Sequence, residues 1–475
     1  MRTLVWFRSD LRVGDNAALS RATHDADRGV VGVFVVCPGQ WREHDWGGPK
    51  VDFVLRNVAA LSAALDKLRI PLRILRVDRF DDVPSALLGL AKDTDCDRLY
   101  YNRELEFNER QRDDEVERAF EASGVDVCAF DDVSIMQPGT VLTEQEGWYT
   151  VYSPFRKKFG KVFDERGGCT VAPKPKRQPE APCDSDAVPA QLEAFDAPDL
   201  ADLWPAGESR ARDRLKAFVR TRIEEYHDNR DAPGMDGTSS LSPYLAAGVI
   251  SPRECLLAAM EAGGSDTLGP ASGGGGAGTW INQLLWREFY KHLLIGFPKL
   301  SRNRNFRGEY DSLAWREDPE QFGAWCAGET GVPIVDAAMR QLASTGWMHN
   351  RCRMIVAMFL TKNLLMDWRL GERHFMKHLV DGDLASNNGG WQWSASTGTD
   401  AAPYFRIFNP ISQSKKVDPD GAYIRAHIPE LGDLDSKSIH DPPPLARASA
   451  GYPPSIVDVK ASRQRAITAF REFRQ

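Results

Sequence analysis

VVGVFVV, residues 30–36, carries no polar side chain, and runs of this kind recur through the first third of the chain. TLVWF (3–7), LRILR (72–76), RLYYN (98–102) and VDVCAF (125–130) read as further strands. Between them, VDFVLRNVAALSAALDKL (51–68) and NERQRDDEVERAFEAS (108–123) place apolar residues at helical spacing. Strands alternating with helices imply a parallel sheet covered on both faces. The expectation is an α/β N-terminal domain with a five-stranded, Rossmann-like sheet. The loop after its first strand, RSDLRVGDNAAL (8–19), lacks the glycine fingerprint of a dinucleotide site. This sheet therefore does not hold a nucleotide in the usual way.

At 475 residues the chain is too long for one ordinary core. From about residue 170 to 203 it turns rich in Pro, Ala and acid, as in APKPKRQPEAPCDSDAVPA (172–190), a composition suited to an interdomain linker. Beyond it the helical period dominates: ARDRLKAFVRTRIEEY (211–226), TWINQLLWREFYKHLLIG (279–296), VDAAMRQLASTG (335–346) and NRCRMIVAMFLTKNLLMDW (350–368). GGSDTLGPASGGGGAG (263–278) reads as a flexible connector inside this half. The boundaries expected are 1–135 for the α/β domain, 136–207 for the linker and 208–475 for an all-α C-terminal domain.

With 42% hydrophobic and 27% charged residues the composition is that of a soluble globular protein. The chain starts with charges straight after a five-residue apolar run, and no stretch is long enough to span a bilayer, so a cytoplasmic protein is expected. Eight cysteines show neither CxxC pairing nor zinc spacing. The net charge of −7 excludes indiscriminate coating of nucleic acid but leaves room for a local basic face. KLSRNRNFRG (299–308) and HNRCR (349–353) offer one.

Eight of the thirteen tryptophans fall between 280 and 393. Flat rings gathered in this way can stack on a flat ligand or pass electrons among themselves. On TWINQLLWREFY, Trp280, Gln283, Trp286 or Arg287, and Tyr290 share one helix face. On WMHNRCRM, Trp347, Asn350, Arg351 and Met354 share another, an unusual stripe for a helix that merely packs. DGDLASNNGGWQWSASTGTDAAPYFRIFNP (381–410) has no hydrophobic period that a helix or strand could use, and reads as a loop. Asp381 and Asp383, with no histidine or further carboxylate nearby, point away from a metal.

These stretches together carry a resemblance. WREFY (286–290), GWMHNRCRM (346–354), DGTSSLSPYLAAGVISPREC (236–255) and residues 381–410 resemble the photolyase/cryptochrome family, most closely the class I cyclobutane pyrimidine dimer photolyases. The likeness runs from WFRSDLRVGDN (6–16) to FRIFNPISQSKK (405–416). It implies an α/β antenna domain and a helical domain that holds bent FAD beneath a hole for a flipped dimer. It assigns Tyr226, Thr238, Ser239, Ser240, Leu241, Ser242, Trp280, Asn350, Arg353, Asp381, Asp383 and Asn387 to the flavin, with Asn387 facing N5 and Arg353 paired with Asp381. Trp391, Trp368 and Trp315 become a chain carrying an electron to photoexcited flavin. Trp286 and Trp393 sandwich the lesion, with Asn350, Met354 and Gln283 completing the hole. Arg230, Arg287, Arg351, Arg406, Gln413 and Lys415 lie where the family contacts DNA phosphates.

The resemblance therefore implies light-driven repair: excited reduced FAD donates an electron to a cyclobutane dimer in UV-damaged DNA, the ring splits and the electron returns. The protein is expected to act as a monomer. A signalling cryptochrome is disfavoured because the chain ends at FREFRQ soon after the helical domain. A (6-4) photolyase is disfavoured because histidines of that group are replaced by Asn350 and Met354. Gln283 stands where the dimer enzymes carry glutamate, which leaves another lesion or strand preference open. For the antenna, His44, Asn108 and Glu109 match folate-binding members and imply methenyltetrahydrofolate. Ser301 and Arg302 replace the Cys-Lys of that group, so 8-hydroxy-5-deazaflavin or no antenna remains open.

Overall fold

The computed structural model describes residues 1–263, 268 and 275–473. The chain divides into two compact units, one of Met1–Glu224, Ser239–Ser301 and Val380–Asp383, the other of Glu225–Thr238, Arg302–Leu379 and Leu384–Gln475.

In the first unit five parallel strands, β1 (Thr3–Phe7), β2 (Val30–Val36), β3 (Leu72–Arg76), β4 (Arg98–Asn102) and β5 (Asp126–Phe130), lie in the order β3-β2-β1-β4-β5. Trp6 on β1 pairs with Val33 on one side and Tyr101 on the other. Every residue of β1 and β2 is buried, which is why their sequences read as unbroken apolar runs. The edge strands β3 and β5 are partly exposed and carry Arg73, Arg76 and Asp126. Helices α1 (Gly48–Asp66) and α2 (Phe107–Ala122) belong to this α/β unit, as do α3 (Tyr152–Glu165) and α4 (Gly275–Gly296).

The Pro-rich stretch after residue 170 does not hang loose. Gln178 and Asp186 donate their backbone N–H groups to Leu68 and Leu72 carbonyls at 2.8 Å, and Arg73 pairs with Asp186. Leu192, Phe195, Leu200 and Trp204 are buried. Scattered large apolar residues pin the segment although its prolines keep it irregular. Of the connector read at 263–278, residues 264–267 and 269–274 lie outside the described residues, and 275–278 form the first turn of α4.

The second unit is helical among its described residues, with α5 (Pro333–Thr345), α6 (Asn350–Met358), α7 (Trp368–His378), α8 (Leu384–Ala395), α9 (Pro410–Val417) and α10 (Val459–Phe473). Its core gathers Trp325, Val335, Met339, Val356, Leu360, Trp368, Phe375 and Trp391. The single helix expected over 350–368 is interrupted. A π-helical turn spans Phe359–Asn363, Leu365 takes a left-handed φ of 57°, and the Asp367 carboxylate accepts from Arg369 N to restart the helix as α7.

Residues 384–395 correct a second expectation. The stretch read as a loop is helix α8. Its hydrophobic period is missing because its buried residues are partly polar: Asn388 and Gln392 are 2% and 1% exposed and satisfied by hydrogen bonds. Asn388 Nδ2 donates to Glu372 Oε1 at 3.0 Å, and Gln392 Nε2 donates to Asn388 Oδ1 at 2.8 Å. Tertiary contacts of this kind override the weak helix propensity of Asn-Asn-Gly-Gly.

Candidate functional site

Residues 238–242 bend through Ser240, which takes a left-handed φ of 48°. In the first unit, Ser239 Oγ accepts from Trp280 Nε1 at 3.3 Å and from Leu241 N at 3.4 Å. Leu241 and Trp280 are buried, while Ser242 is exposed at the start of the short helix Ser242–Ala246. A bend rich in hydroxyls is a donor set suited to phosphate oxygens and to a sugar-like chain. In the same unit Asp383 lies 3.6 Å from Lys291, and Lys50 donates to Gly382 O at 2.7 Å. Asp381 is 6% exposed.

The second unit places Tyr226 in its interior and Thr238 half-buried. Arg353 Nε donates to Met348 O at 2.8 Å. On α8, Asn387 Nδ2 donates to Glu372 O at 3.0 Å, which fixes its amide and directs Oδ1 away from that anchor. Asn387 therefore offers an acceptor first, suited to an N–H on a ligand. The hydroxyl bend with Trp280 in the first unit, and Asn387 with Arg353 in the second, each carry donor and acceptor chemistry that fits FAD.

The tryptophans of the expected electron chain all lie in the second unit. Trp391 and Trp368 are 2% and 0% exposed, and Trp315 is half-buried. Trp368 Nε1 donates to Asn305 Oδ1 at 2.9 Å. Trp391 meets Phe375 edge-on at 5.0 Å and Trp325 at 6.1 Å, and Trp315 meets Phe470 at 6.1 Å. Gly371 lies flat against Trp391: a Cβ there would stand 2.1 Å from its Cη2. Trp325 is a neighbour that the sequence counted without assigning it a place.

On α4, Trp286 is half-buried and stacks on Tyr152 of α3, with centroids 3.8 Å apart and planes 9° apart. Gln283 Nε2 turns back to Thr279 O at 3.3 Å. Arg287 is half-buried on the same helix. Its guanidinium donates to the carbonyls of Val133 at 3.0 Å and Leu245 at 3.4 Å, and its Nη1 lies 3.5 Å from Glu288, contacts that brace it within its unit.

In the second unit Asn350 is exposed at the start of α6, and its Nδ2 lies 4.0 Å from Met354 Sδ one turn on. Met354 and Trp393 are half-buried. Arg351 is paired with Asp231, and Arg230 lies 3.8 Å from the same carboxylate. Arg406 and Lys415 are exposed, and Gln413 is half-buried on α9. Phe405, 58% exposed, adds an apolar group next to Arg406 that charge counting could not signal.

In the first unit a cleft is lined by Trp41, Trp46, Phe80, His44, Glu109 and Arg112, among others. Trp41 and Trp46 stack at 5.1 Å, and the Lys50 ammonium lies 3.6 Å over Trp46. His44 Nδ1 is 3.2 Å from Glu109, and its Nε2 is 3.0 Å from Asn108 and from Gln40. Burial pulls the His44 pKa down, but Glu109 outweighs it and holds the imidazole above its ordinary value. Burial also lifts Glu106 to about 7, with Lys291 opposing and Glu109, Glu104 and Asp383 reinforcing. Three of the four expected antenna residues thus form one cluster. The fourth, Arg302, is exposed at the end of the turn Pro298–Arg302 and belongs to the second unit.

Among the described residues no group of three or more His, Cys, Asp or Glu is placed to hold a metal ion, and no helix is long and apolar enough to cross a membrane.

Comparison with known proteins gives these arrangements a context. The family model described as DNA photolyase matches residues 3–180, and that described as the FAD binding domain of DNA photolyase matches residues 280–472. The chain is 43% identical to deoxyribodipyrimidine photo-lyase of Salmonella typhimurium and 42% identical to that of Escherichia coli, each over 99% of both chains. Among solved structures it resembles a class III photolyase from Agrobacterium tumefaciens, with TM-score 0.87 and 36% identity over 100% of this chain and 98% of that one. It also resembles a Synechocystis cryptochrome, with TM-score 0.83 and 27% identity over 99% of each. A likeness this high over the whole length of both chains places the protein in the DNA photolyase family.

Proposed function

We propose that the chain is a light-driven DNA-repair enzyme that splits cyclobutane pyrimidine dimers. The observation that carries this reading is the 42–43% identity, over 99% of both chains, to enzymes named deoxyribodipyrimidine photo-lyase. When bound, reduced FAD supplies the photoexcited electron, so the protein needs no nucleophile of its own. Its residues bind, orient and insulate.

In this reading Tyr226, Thr238, Ser239, Ser240, Leu241, Ser242, Trp280, Asn350, Arg353, Asp381, Asp383 and Asn387 would hold the flavin. The amide of Asn387, anchored on the Glu372 carbonyl, would offer its oxygen to an N–H of the flavin. Trp391, Trp368 and Trp315 relay an electron inward when oxidised flavin must be reduced by light. Trp286 and Trp393 stack on the extruded dimer, whose weakened pairing lowers the cost of flipping. Arg230, Arg351, Arg406, Gln413 and Lys415 meet the DNA backbone and supply a local basic face on a protein of net charge −7. The protein acts as a monomer in the cytoplasm.

The paired tryptophans, the lysine over Trp46 and the His44–Glu109–Asn108 cluster support a planar antenna with a hydrogen-bonding edge, and methenyltetrahydrofolate is the group we assign. Gln283 favours one variant of this function, a dimer photolyase of altered lesion or strand preference, because a primary amide cannot supply a proton to the lesion. Binding in the dark to oligonucleotides bearing a cyclobutane dimer, a (6-4) product or no damage tests the proposal. The dimer should bind most tightly. Equal affinity for all three would overturn it.

A further inference from the structure

We infer that Tyr152 sets the plane of the Trp286 indole, so that α3 as well as α4 builds the surface on which damaged DNA stacks. The inference rests on the assignment of Trp286 to lesion stacking. The Tyr152 ring lies face to face on Trp286, at 3.8 Å and 9°. Phe289 meets the indole edge-on at 5.7 Å, and Tyr290 is tilted against it at 5.6 Å. Trp286 is nevertheless only half-buried, so it keeps surface available on its remaining side. Near-parallel overlap at such short range is not what two aromatic rings choose when free, since offset and edge-on arrangements are preferred. Something must hold the phenol in place.

The holding group is Asn282, one helical turn before Trp286. The Tyr152 hydroxyl donates to the Asn282 main-chain oxygen at 3.0 Å and lies 3.3 Å from its Oδ1. Arg156, one turn after Tyr152 on α3, donates through Nε to the same Oδ1 at 2.5 Å. Residues four apart lie above one another on a helix, so positions 152 and 156 of α3 grip positions 282 and 286 of α4 as a matched pair. Phe289, edge-on to Tyr152 at 5.8 Å, closes the side of the phenol. Tyr152 is 8% exposed, and burial raises its hydroxyl pKa, so it stays a neutral donor throughout the physiological range.

A ring held in this way enters the complex already ordered. An indole released from the stack would have to be immobilised when the lesion binds, a difference of about 3- to 10-fold in lesion affinity. Undamaged DNA, held through its phosphates, would not sense the change. Tyr152 is thus a positioning residue for lesion selectivity.

The test measures dark affinity for dimer-containing and undamaged duplexes in Tyr152→Leu, Tyr152→Phe, Asn282→Ala, Trp286→Ala and the Tyr152→Leu/Trp286→Ala double variant, with near-ultraviolet circular dichroism of each. Tyr152→Leu should lower the damaged-to-undamaged ratio about 3- to 10-fold and change the indole signal. Asn282→Ala, which keeps the main-chain oxygen that accepts from the phenol, should retain most of both, Tyr152→Phe, which keeps the ring but loses the hydroxyl that holds it, should fall between, and the double variant should bind no worse than Trp286→Ala. If Trp286→Ala itself leaves the ratio intact, the assignment of Trp286 fails. If Trp286→Ala lowers the ratio while Tyr152→Leu and Tyr152→Phe do not, Trp286 stands and the role of Tyr152 is refuted. Should Tyr152→Leu not fold, Tyr152→Phe decides the question: an unchanged ratio and indole signal would refute the role of Tyr152.

Discussion

Asn388→Ala should weaken the second unit by about 3 kcal/mol and loosen the helix that carries Asn387, Trp391 and Trp393. Asn388 bridges two partners inside the fold, donating to Glu372 Oε1 at 3.0 Å and accepting from Gln392 Nε2 at 2.8 Å. Alanine leaves a buried carboxylate oxygen without that donor, a loss of about 1.5–3 kcal/mol for a hydrogen bond to a charged group. Gln392 keeps a second acceptor, Arg304 O at 3.2 Å, so its share is nearer 1 kcal/mol. For a cooperative unit of roughly 150–250 residues, about 2–4 °C per kcal/mol translates the sum into a melting point lower by roughly 6–12 °C. Asn388→Asp, which sets one carboxylate against another, should cost more than alanine, and Glu372→Gln, which keeps an acceptor, should cost less. Thermal melting followed by circular dichroism, with flavin content measured alongside, checks the order. Because Asn387 is anchored on the Glu372 carbonyl, flavin content should fall with stability. If Asn388→Ala melts within about 2 °C of the parent and binds flavin fully, the polar network does not hold α8 in place.

Further outcomes follow from individual residues. Trp391→Phe should leave flavin binding nearly intact while slowing photoreduction of the oxidised protein, with repair by pre-reduced protein preserved. An unchanged photoreduction rate would reject the assigned route. Gly371→Ala, whose Cβ would stand 2.1 Å from Trp391 Cη2, should displace that ring and slow photoreduction in the same assay. Gln283→Glu should raise the yield of dimer repair with little change in lesion affinity, as read from repair per absorbed photon. Burial lowers His292 and His349 to about 4 and His374 to about 3, against an ordinary value of 6.5. The unfolded chain therefore takes up protons that the folded one refuses as pH falls from 6.5 towards 4. Stability should decline through that window, as denaturant titrations at successive pH values would show, and a flat profile would contradict the depressed values.

The strands were legible because β1 and β2 are buried on both faces and so spell themselves as unbroken apolar runs. Helix α8 was not, because its burial is secured by Asn388 and Gln392, whose partners Glu372 and Arg304 are distant in sequence. Local pattern also missed the π-turn at Phe359–Asn363, a break that depends on packing around it. In the candidate site, the long motifs nominated Trp286, Trp391 and Asn387, but nothing in sequence spacing ties Tyr152 to a tryptophan 134 positions later. Nor does spacing signal that the Arg287 guanidinium also reaches the carbonyls of Val133 and Leu245.

The account rests most directly on one photochemical measurement. Purified protein with reduced FAD is mixed in the dark with an oligonucleotide carrying a single thymine dimer, given a train of blue flashes, and assayed after each for intact thymines and for flavin redox state. Thymines should accumulate with flash number while the flavin remains reduced, and a dark control should release none. Lesion bound and flavin reduced, yet no thymine released by light, would contradict the central claim.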